Sequence, residues 1–137
     1  MKRKMLYRPT GLKELELIIE SGWKRFPPRL QWQPIFYPVL HQNYAAQIAR
    51  EWNTADTFSG YCGVVTGFEL DEAYLAQYPV QNVGGQGHDE LWIPSDELET
   101  FNKNILDGIH VIGVFFGEQF VMPEDERMAG VLNRFKQ

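Results

Sequence analysis

Hydrophobic residues recur at intervals of three and four in several stretches of the chain, which is the pattern of helices with one buried face. The first predicted helix takes Thr10 as its N-terminal cap, and the second takes Asn43. The third begins with a capping box formed by Asp96 and Glu99. The last covers about residues 124–135, where acidic residues precede the hydrophobic face and basic residues follow it. These segments predict helices that each bury one face.

Runs of hydrophobic and β-branched residues between Gly, Pro and Asn breaks predict the strands. The predicted strands cover residues 5–7, 35–39, 63–70, 91–93 and 109–116, and Pro9 is expected to end the first of them. Strands and helices joined by short breaks are typical of an α+β fold. The sequence therefore predicts a single compact α+β domain over residues 1–137, with mixed or antiparallel sheets, flanking helices and a core over about residues 5–116.

The composition is that of a globular domain with its own core, because 44% of the residues are hydrophobic and 23% are charged. The net charge of −5 is unevenly distributed along the chain. Residues 1–68 contain nine Lys and Arg against five Asp and Glu, whereas residues 69–137 contain four against thirteen. This asymmetry fits either a cleft with a basic and an acidic wall or solvated faces of mixed charge.

The chain has features expected of a cytoplasmic protein. The longest apolar run is far shorter than the 18 or so residues of a membrane span, so we expect no membrane segment. The basic start is followed by only three apolar residues, which is too few for a signal peptide. The single cysteine, Cys62, excludes an intrachain disulfide and is expected to be a small buried thiol rather than a nucleophile.

Motifs for metal or phosphate binding are absent from the sequence. His41, His88 and His110 are not spaced as metal-ligand pairs on a helix, so no metal is expected. The glycine-rich residues 84–87 do not connect a strand to a following helix, which argues against a phosphate-binding loop. Nucleic-acid binding is the weakest hypothesis, because the net charge is negative. Its candidate residues are Lys2, Arg3, Lys4, Lys24, Arg25 and Arg29.

Three short segments, in this order, resemble motifs of ADP-ribosyltransferases. Residues 5–10 (MLYRPT) resemble the first-strand motif of that family. Residues 35–38 (IFYP), followed by Tyr44, resemble its Ile-Tyr-Phe-Ala strand and the tyrosine that stacks on nicotinamide. Residues 89–93 (DELWI) resemble the Asn-Glu-Tyr-Ile-Val strand that carries the catalytic glutamate. The whole chain also resembles small bacterial proteins described as ADP-ribosylation or crystallin-like, whose far longer glycohydrolase namesakes carry paired-Asp metal motifs that are absent here.

The resemblance implies an ADP-ribosyltransferase-like fold that uses NAD as a substrate, without a metal. It implies that Glu90 and Arg8 are the catalytic residues, with Arg8 in contact with the ribose or the phosphates of NAD. A carboxylate has the right sign to stabilise the positive charge that develops on the ribose as nicotinamide leaves. The reaction would be transfer of ADP-ribose or hydrolysis of NAD, with the acceptor left open among protein, nucleic acid and small molecule. The remaining candidate NAD-binding residues are Tyr44, Tyr37, Phe36, Thr10, Arg25 and Arg29.

A noncatalytic module on the same scaffold, for protein interaction or immunity, is the alternative hypothesis. The family's His-Gly pair is Arg8-Pro9 in this chain, and Pro9 has no N–H to donate to the nicotinamide amide. An unpaired carboxamide acceptor costs about 1–3 kcal/mol of binding. In this alternative, Trp23, Trp32 and Trp92 are anchors for a protein partner. The oligomeric state is left open by the sequence.

Overall fold

Strands and helices alternate along the chain in the computed structural model, which describes residues 1–136. The elements are β1 (Arg3–Thr10), α1 (Leu12–Glu20), β2 (Ile35–Phe36), α2 (Gln42–Glu51), β3 (Cys62–Asp71), α3 (Glu72–Leu75), β4 (Gln81–Asn82), β5 (Asp89–Glu90), β6 (Ile93–Pro94), α4 (Leu98–Lys103), β7 (Leu106–Phe116) and α5 (Glu126–Asn133). Together they form one α+β domain with antiparallel sheets and flanking helices, so the predicted fold class is confirmed.

The main sheet has three antiparallel strands in the order β1-β3-β7. Beyond the free edge of β1, single bridges continue the antiparallel pairing from Tyr7 to Val39 and from Val39 to Glu90. Strand β5, which contains Glu90, pairs in turn with β4, and β2 pairs with β6. The backbone of Glu90 is therefore held between Val39 and Gln81.

Strand β1 continues through Pro9 to Thr10, so the predicted end of the strand at Pro9 is wrong. Both backbone groups of Tyr7 bond to Val39, whereas alternate residues of an antiparallel strand face the other neighbour. Pro9 lies two residues after Tyr7, so its backbone groups point to the same edge of β1 as those of Tyr7. At Pro9 the pairing of this edge with Val39 has already ended. The missing N–H of Pro9 therefore costs the sheet no hydrogen bond.

The predicted first two helices exist, but both of their predicted caps are wrong. Thr10 still belongs to β1, where its hydroxyl lies 3.4 Å from the carbonyl oxygen of Val64, and α1 follows Gly11 as its N-cap. Helix α2 follows His41, so Asn43 lies within its first turn. In both cases the strand or loop before the helix decides where the helical backbone begins, and the capping preference of the residue is overridden.

The last two predicted helices begin in two different ways. Residues Ser95–Glu97 form a 3₁₀ turn before α4, which replaces the predicted capping box at Asp96 and Glu99. Helix α5 lies within the predicted residues 124–135, and the carboxylate of Asp125 accepts hydrogen bonds from the backbone N–H groups of Arg127 and Met128. This cap satisfies two of the helix's free N–H groups.

The core has an aromatic side and an aliphatic side around the sheet. On one side four buried phenylalanines contact each other with ring centroids 4.8–6.2 Å apart, in edge or tilted geometry. These are Phe26, Phe36, Phe68 and Phe101. On the other side α2 packs closely on β3 through Ala45 and Ala49. A Cβ at Gly63 would lie 2.4 Å from the carbonyl oxygen of Ala49, so this glycine allows the close approach.

Candidate functional site

The carboxylate of Glu90 is nearly buried and is held at both oxygens. Only 9% of Glu90 is exposed. Its Oε1 accepts a hydrogen bond of 2.7 Å from the indole N–H of Trp92, and its Oε2 lies 3.5 Å from the hydroxyl of Tyr44, which donates to it. Burial, together with the charge and hydrogen bond of Glu90, raises the pKa of Tyr44. The carboxylate is therefore fixed in position by two side chains from different elements.

An imidazole ring covers the face of the Tyr44 ring that does not contact the core. The ring of His88 stacks on the ring of Tyr44 with centroids 4.4 Å apart and planes 15° apart. His88 follows the glycine-rich residues 84–87, and its Nε2 lies 3.3 Å from the amide oxygen of Gln47 on α2. A ligand ring that stacks on this face of Tyr44 must first displace His88.

The neighbour of Glu90 in β5 forms a separate polar cluster. Asp89 accepts a hydrogen bond from the Asn82 amide at 3.0 Å, and its other oxygen lies 3.0 Å from Nε2 of His41. These two hydrogen bonds, the Asn82 one first, lower the pKa of Asp89. The cluster ties β4 and β5 to the start of α2, and so supports the backbone of Glu90.

A cleft of about 530 Å³ opens in front of Glu90 at the edge of β1. Tyr37 and Trp92 line it with rings in edge-to-face contact, 6.3 Å between centroids. Tyr37 is 39% exposed and Trp92 is 42% exposed, so both rings are accessible. The full lining is Arg8, Pro9, Tyr37, Val39, Ile48, Trp52, Asn53, Glu90 and Trp92.

A second cleft, of about 390 Å³, adjoins the first and shares four of its lining residues. The shared residues are Arg8, Pro9, Trp52 and Asn53. Asn53 is buried, and its Nδ2 donates to Ser59 at 2.9 Å, whereas its amide oxygen has no hydrogen-bond partner within residues 1–136. Buried polar atoms are normally satisfied, so a free acceptor at the junction of the clefts points to a missing partner such as water or a ligand.

Arg8 lies in a bidentate ion pair with Glu14 that uses its Nε and one of its two terminal nitrogens. Its Nε and Nη2 donate to the two carboxylate oxygens of Glu14 at 2.6 and 2.9 Å, and its guanidinium lies 4.6 Å from the centre of the Phe36 ring. Tyr7, Val39 and Glu90 are bridged partners and share one face of the sheet, so the side chains of Arg8 and Glu90 leave the sheet on opposite faces. The two predicted catalytic residues meet only at the edge of the cleft.

Arg29 lies close to this ion pair in the second cleft. Its Nε donates to the carbonyl oxygen of Ile35 at 2.9 Å. Burial and the nearby charge of Arg8 lower the pKa of Arg29, while Glu14 acts in the opposite direction. Two arginines and one carboxylate leave an excess positive charge at this point, as an anionic ligand would need.

The structure separates Phe36 and Arg25 from both clefts, whereas Thr10 lines the second cleft. Phe36 is 1% exposed and belongs to the aromatic core, and Thr10 is 2% exposed at the end of β1. Arg25 lies on another side of the fold, in cavities that do not include Glu90. Of the predicted set, Glu90, Tyr37 and Arg8 line the first cleft, Tyr44 contacts Glu90, and Thr10 and Arg29 line the second cleft.

Three residues at the site have roles that were not predicted from the sequence. Trp92 holds Glu90, Asn53 presents the unpaired acceptor, and Trp52, which is 60% exposed, lines both clefts. The available signal was that Glu90 and Trp92 are two positions apart in an extended segment, since such residues share a face. The apolar pattern placed Trp52 on the buried face of α2, but the residue follows that helix and is exposed, and Asn53 had no comparable signal.

Cys62 is buried and free, and burial raises its pKa to about 12, so it is an inert thiol under ordinary conditions. Within residues 1–136, no group of three or more His, Cys, Asp and Glu side chains is placed to hold a metal ion. Over the same residues, no helix has the length and apolar character needed to cross a membrane.

Comparisons with models of protein families, with curated proteins and with solved structures give no match to this chain.

Proposed function

We propose that this protein binds NAD and breaks the bond between its ribose and nicotinamide, in the manner of an ADP-ribosyltransferase. The observation that carries the proposal is the fixed carboxylate of Glu90, which faces an open cleft and is held by Trp92 and Tyr44. The resemblance in sequence assigns the same glutamate to catalysis.

Glu90 supplies the charge that this reaction needs. The bond from ribose C1′ to the nicotinamide nitrogen breaks, and its electron pair leaves with nicotinamide, so positive charge develops on the ribose. A desolvated carboxylate that is already oriented stabilises that charge without reorganisation. Water or an acceptor hydroxyl then forms the new bond at C1′ and releases its proton. The first outcome is hydrolysis of NAD and the second is transfer of ADP-ribose.

Aromatic and cationic groups are available for the remaining parts of NAD. Tyr37 and Trp92 offer accessible rings for nicotinamide in the first cleft, whereas the ring of Tyr44 is covered by His88. The carbonyl oxygen of Pro9 faces the open edge of β1 and can accept from the nicotinamide amide. Arg29, whose charge is not cancelled by the neighbouring Arg8–Glu14 pair, can contact the diphosphate in the second cleft.

The proposal assigns the protein to the cytoplasm, where NAD is available and a free cysteine stays reduced. This proposal requires only that the acceptor is a nucleophile that can enter the first cleft. Protein, nucleic acid and small molecule all remain candidates.

A noncatalytic role in protein binding is the second candidate. It is favoured by the bidentate pairing of Arg8 with Glu14 and by exposed apolar side chains around the clefts. Phe58 is 93% exposed and Trp32 is 75% exposed, whereas Trp23 is half-buried and is therefore a poorer anchor than the sequence suggests.

A thermal-shift titration with NAD and with nicotinamide tests the first candidate. Ligand at 100 times its Kd adds roughly 2.7 kcal/mol of stability, which raises the Tm by several degrees. We expect this shift in the wild type and in Trp32→Ala, and its loss in Tyr37→Ala. Absence of a shift at millimolar NAD overturns the proposal and leaves the protein-binding role.

Release of nicotinamide from NAD tests the catalytic part of the proposal. Glu90→Gln keeps the size of the side chain and removes its charge, so we expect loss of activity with the fold intact. Glu118→Gln, which removes an exposed carboxylate, is the matched control and should keep full activity. Equal activity in the two variants contradicts the role of Glu90.

A further inference from the structure

A cavity of about 890 Å³ opens between the end of α1, helix α4, the first half of β7 and helix α5. It shares no lining residue with either cleft near Glu90 within the described part of the chain. Its volume is in the range of small-molecule binding sites. Trp23, Ile109 and Val131 contribute apolar surface to its lining.

Two walls of this cavity are built from backbone in the left-handed region. Among residues 1–136, three non-glycine residues have a positive φ, and two of them line the cavity: Trp23 (φ 66°) and Asp107 (φ 59°). This conformation is unfavourable for residues that carry a Cβ. Such positions persist where the surrounding structure holds them, and they are concentrated at binding and catalytic sites.

The two strained segments are joined to each other. The carbonyl oxygen of Trp23 accepts a hydrogen bond of 2.7 Å from the N–H of Ile109. Asp107 and Gly108 form an irregularity in β7, and a Cβ at Gly108 would lie 3.1 Å from the Trp23 carbonyl oxygen. The wall of the cavity is therefore a fixed surface made of two irregular segments.

The charges around the cavity favour an anion. Lys24, Arg25, Lys103 and Arg134 line it. Lys103 lies 3.6 Å from Glu99, and Asp107 is paired with Arg3, so both carboxylates of the lining already have cationic partners. Within residues 1–136, no carboxylate oxygen lies within 4.0 Å of the charged nitrogens of Lys24, Arg25 or Arg134.

We propose that this cavity binds a small phosphate ester, with the phosphate at the basic rim and the organic part against Trp23, Ile109 and Val131. Lysine and arginine side chains donate without accepting, and arginine matches phosphate oxygens in pairs, so the rim suits phosphate. The apolar lining gives the ester group a surface that inorganic phosphate does not use. The proposal is independent of NAD cleavage, because the two sites have separate residues.

Calorimetric titration of the full chain with AMP, adenosine and inorganic phosphate tests this site. We expect AMP to bind more tightly than inorganic phosphate, and adenosine to bind weakly. Removal of two charges in Lys24→Gln/Arg134→Gln should weaken AMP binding about tenfold or more. The control, Lys2→Gln/Lys4→Gln, removes two charges outside the cavity and should keep the wild-type affinity apart from a small screened effect.

Three outcomes overturn the proposal. The first is that neither AMP nor phosphate binds at concentrations up to about 10 mM, because a specific site should have a Kd below that value. The second is an equal loss of affinity in the two double variants. The third is loss of AMP binding in Arg29→Gln, which would place the ligand in the second cleft near Glu90 rather than in this cavity. NAD hydrolysis should be unchanged in Lys24→Gln/Arg134→Gln, so failure of this site and failure of the proposed reaction are distinguishable.

Discussion

The indole N–H of Trp92 donates to Oε1 of Glu90 over 2.7 Å, although the two residues are separated by only one position in the chain. Residues two apart in an extended segment share one face, so the indole can reach back over the carboxylate. The bond is charge-assisted and the carboxylate is 9% exposed, which makes this donor important for the stability of the buried charge.

Replacement of Trp92 by Phe tests the importance of this donor. Trp92→Phe keeps an aromatic ring and removes the N–H, so we expect the free energy of unfolding to fall by about 1–3 kcal/mol. Urea denaturation measures the change. Trp32→Phe is the control, because Trp32 is 75% exposed, and its stability should be that of the wild type. Equal stability of the two variants would show that Glu90 does not depend on the indole.

The partly buried ion pair of Arg8 and Glu14 predicts a coupling energy well above that of an exposed pair. The two side chains are 12% and 20% exposed, so Arg8→Gln or Glu14→Gln should each cost about 2 kcal/mol, between the values for surface and buried pairs. A double-mutant cycle by urea denaturation measures the coupling. The exposed pair of Lys13 and Glu16, at 71% and 29%, should give less than about 1 kcal/mol.

Two glycine-to-alanine variants should change stability in opposite directions. Gly63→Ala places a Cβ 2.4 Å from the carbonyl oxygen of Ala49, so α2 must move and the protein should lose about 1–3 kcal/mol. Gly130→Ala, in helix α5, meets nothing within 4 Å and should gain about 0.5–1 kcal/mol. Thermal unfolding of both variants gives the answer, and stabilisation by Gly63→Ala would contradict the close packing of α2 on β3.

The N-terminal cap of α5 predicts a loss of stability in acid. A hydrogen bond from the Arg127 side chain lowers the pKa of Asp125, and the backbone N–H groups of Arg127 and Met128 act in the same direction. Desolvation opposes them, and the net result is a pKa of about 2 instead of 3.8. Because the folded-state pKa is below the unfolded one, the stabilisation is complete above pH 3.8 and disappears as the pH falls through about 2. The Tm of the wild type should therefore fall more steeply in this interval than that of Asp125→Asn. Parallel Tm profiles would contradict the prediction.

Much of the fold was predictable because hydrophobic periodicity reports burial directly. The strand at 63–70 and the strand at 109–116 are both present, with ends extended by one to three residues. Helix α2 was also predicted from its stripe of apolar residues, but its start depends on the preceding loop rather than on Asn43. Positions where the chain pairs with distant segments were predicted less well, and Pro9 within β1 is the clearest case.

The candidate site was predictable only in part, because it depends on which side chains share a face. Sequence order brought Glu90, Tyr37 and Tyr44 into one hypothesis, and the structure places them close to one cleft, with Tyr44 behind Glu90. Sequence order could not show that Phe36 faces the core or that Arg8 is paired with Glu14. Those facts depend on the register of β1 against Val39 and on the position of α1.

The sequence by itself determined the α+β class, the main strands and helices, and the burial of Cys62, since these follow from local periodicity and from the hydrophobic effect. Tertiary structure decided which distant polar groups meet: Tyr44 with Glu90, His41 with Asp89, and the carbonyl oxygen of Trp23 with the N–H of Ile109 beside the basic cavity. The physical reason is that hydrogen bonds and ion pairs act over a few ångströms. Residues far apart in the chain reach such distances only through strand register and helix packing.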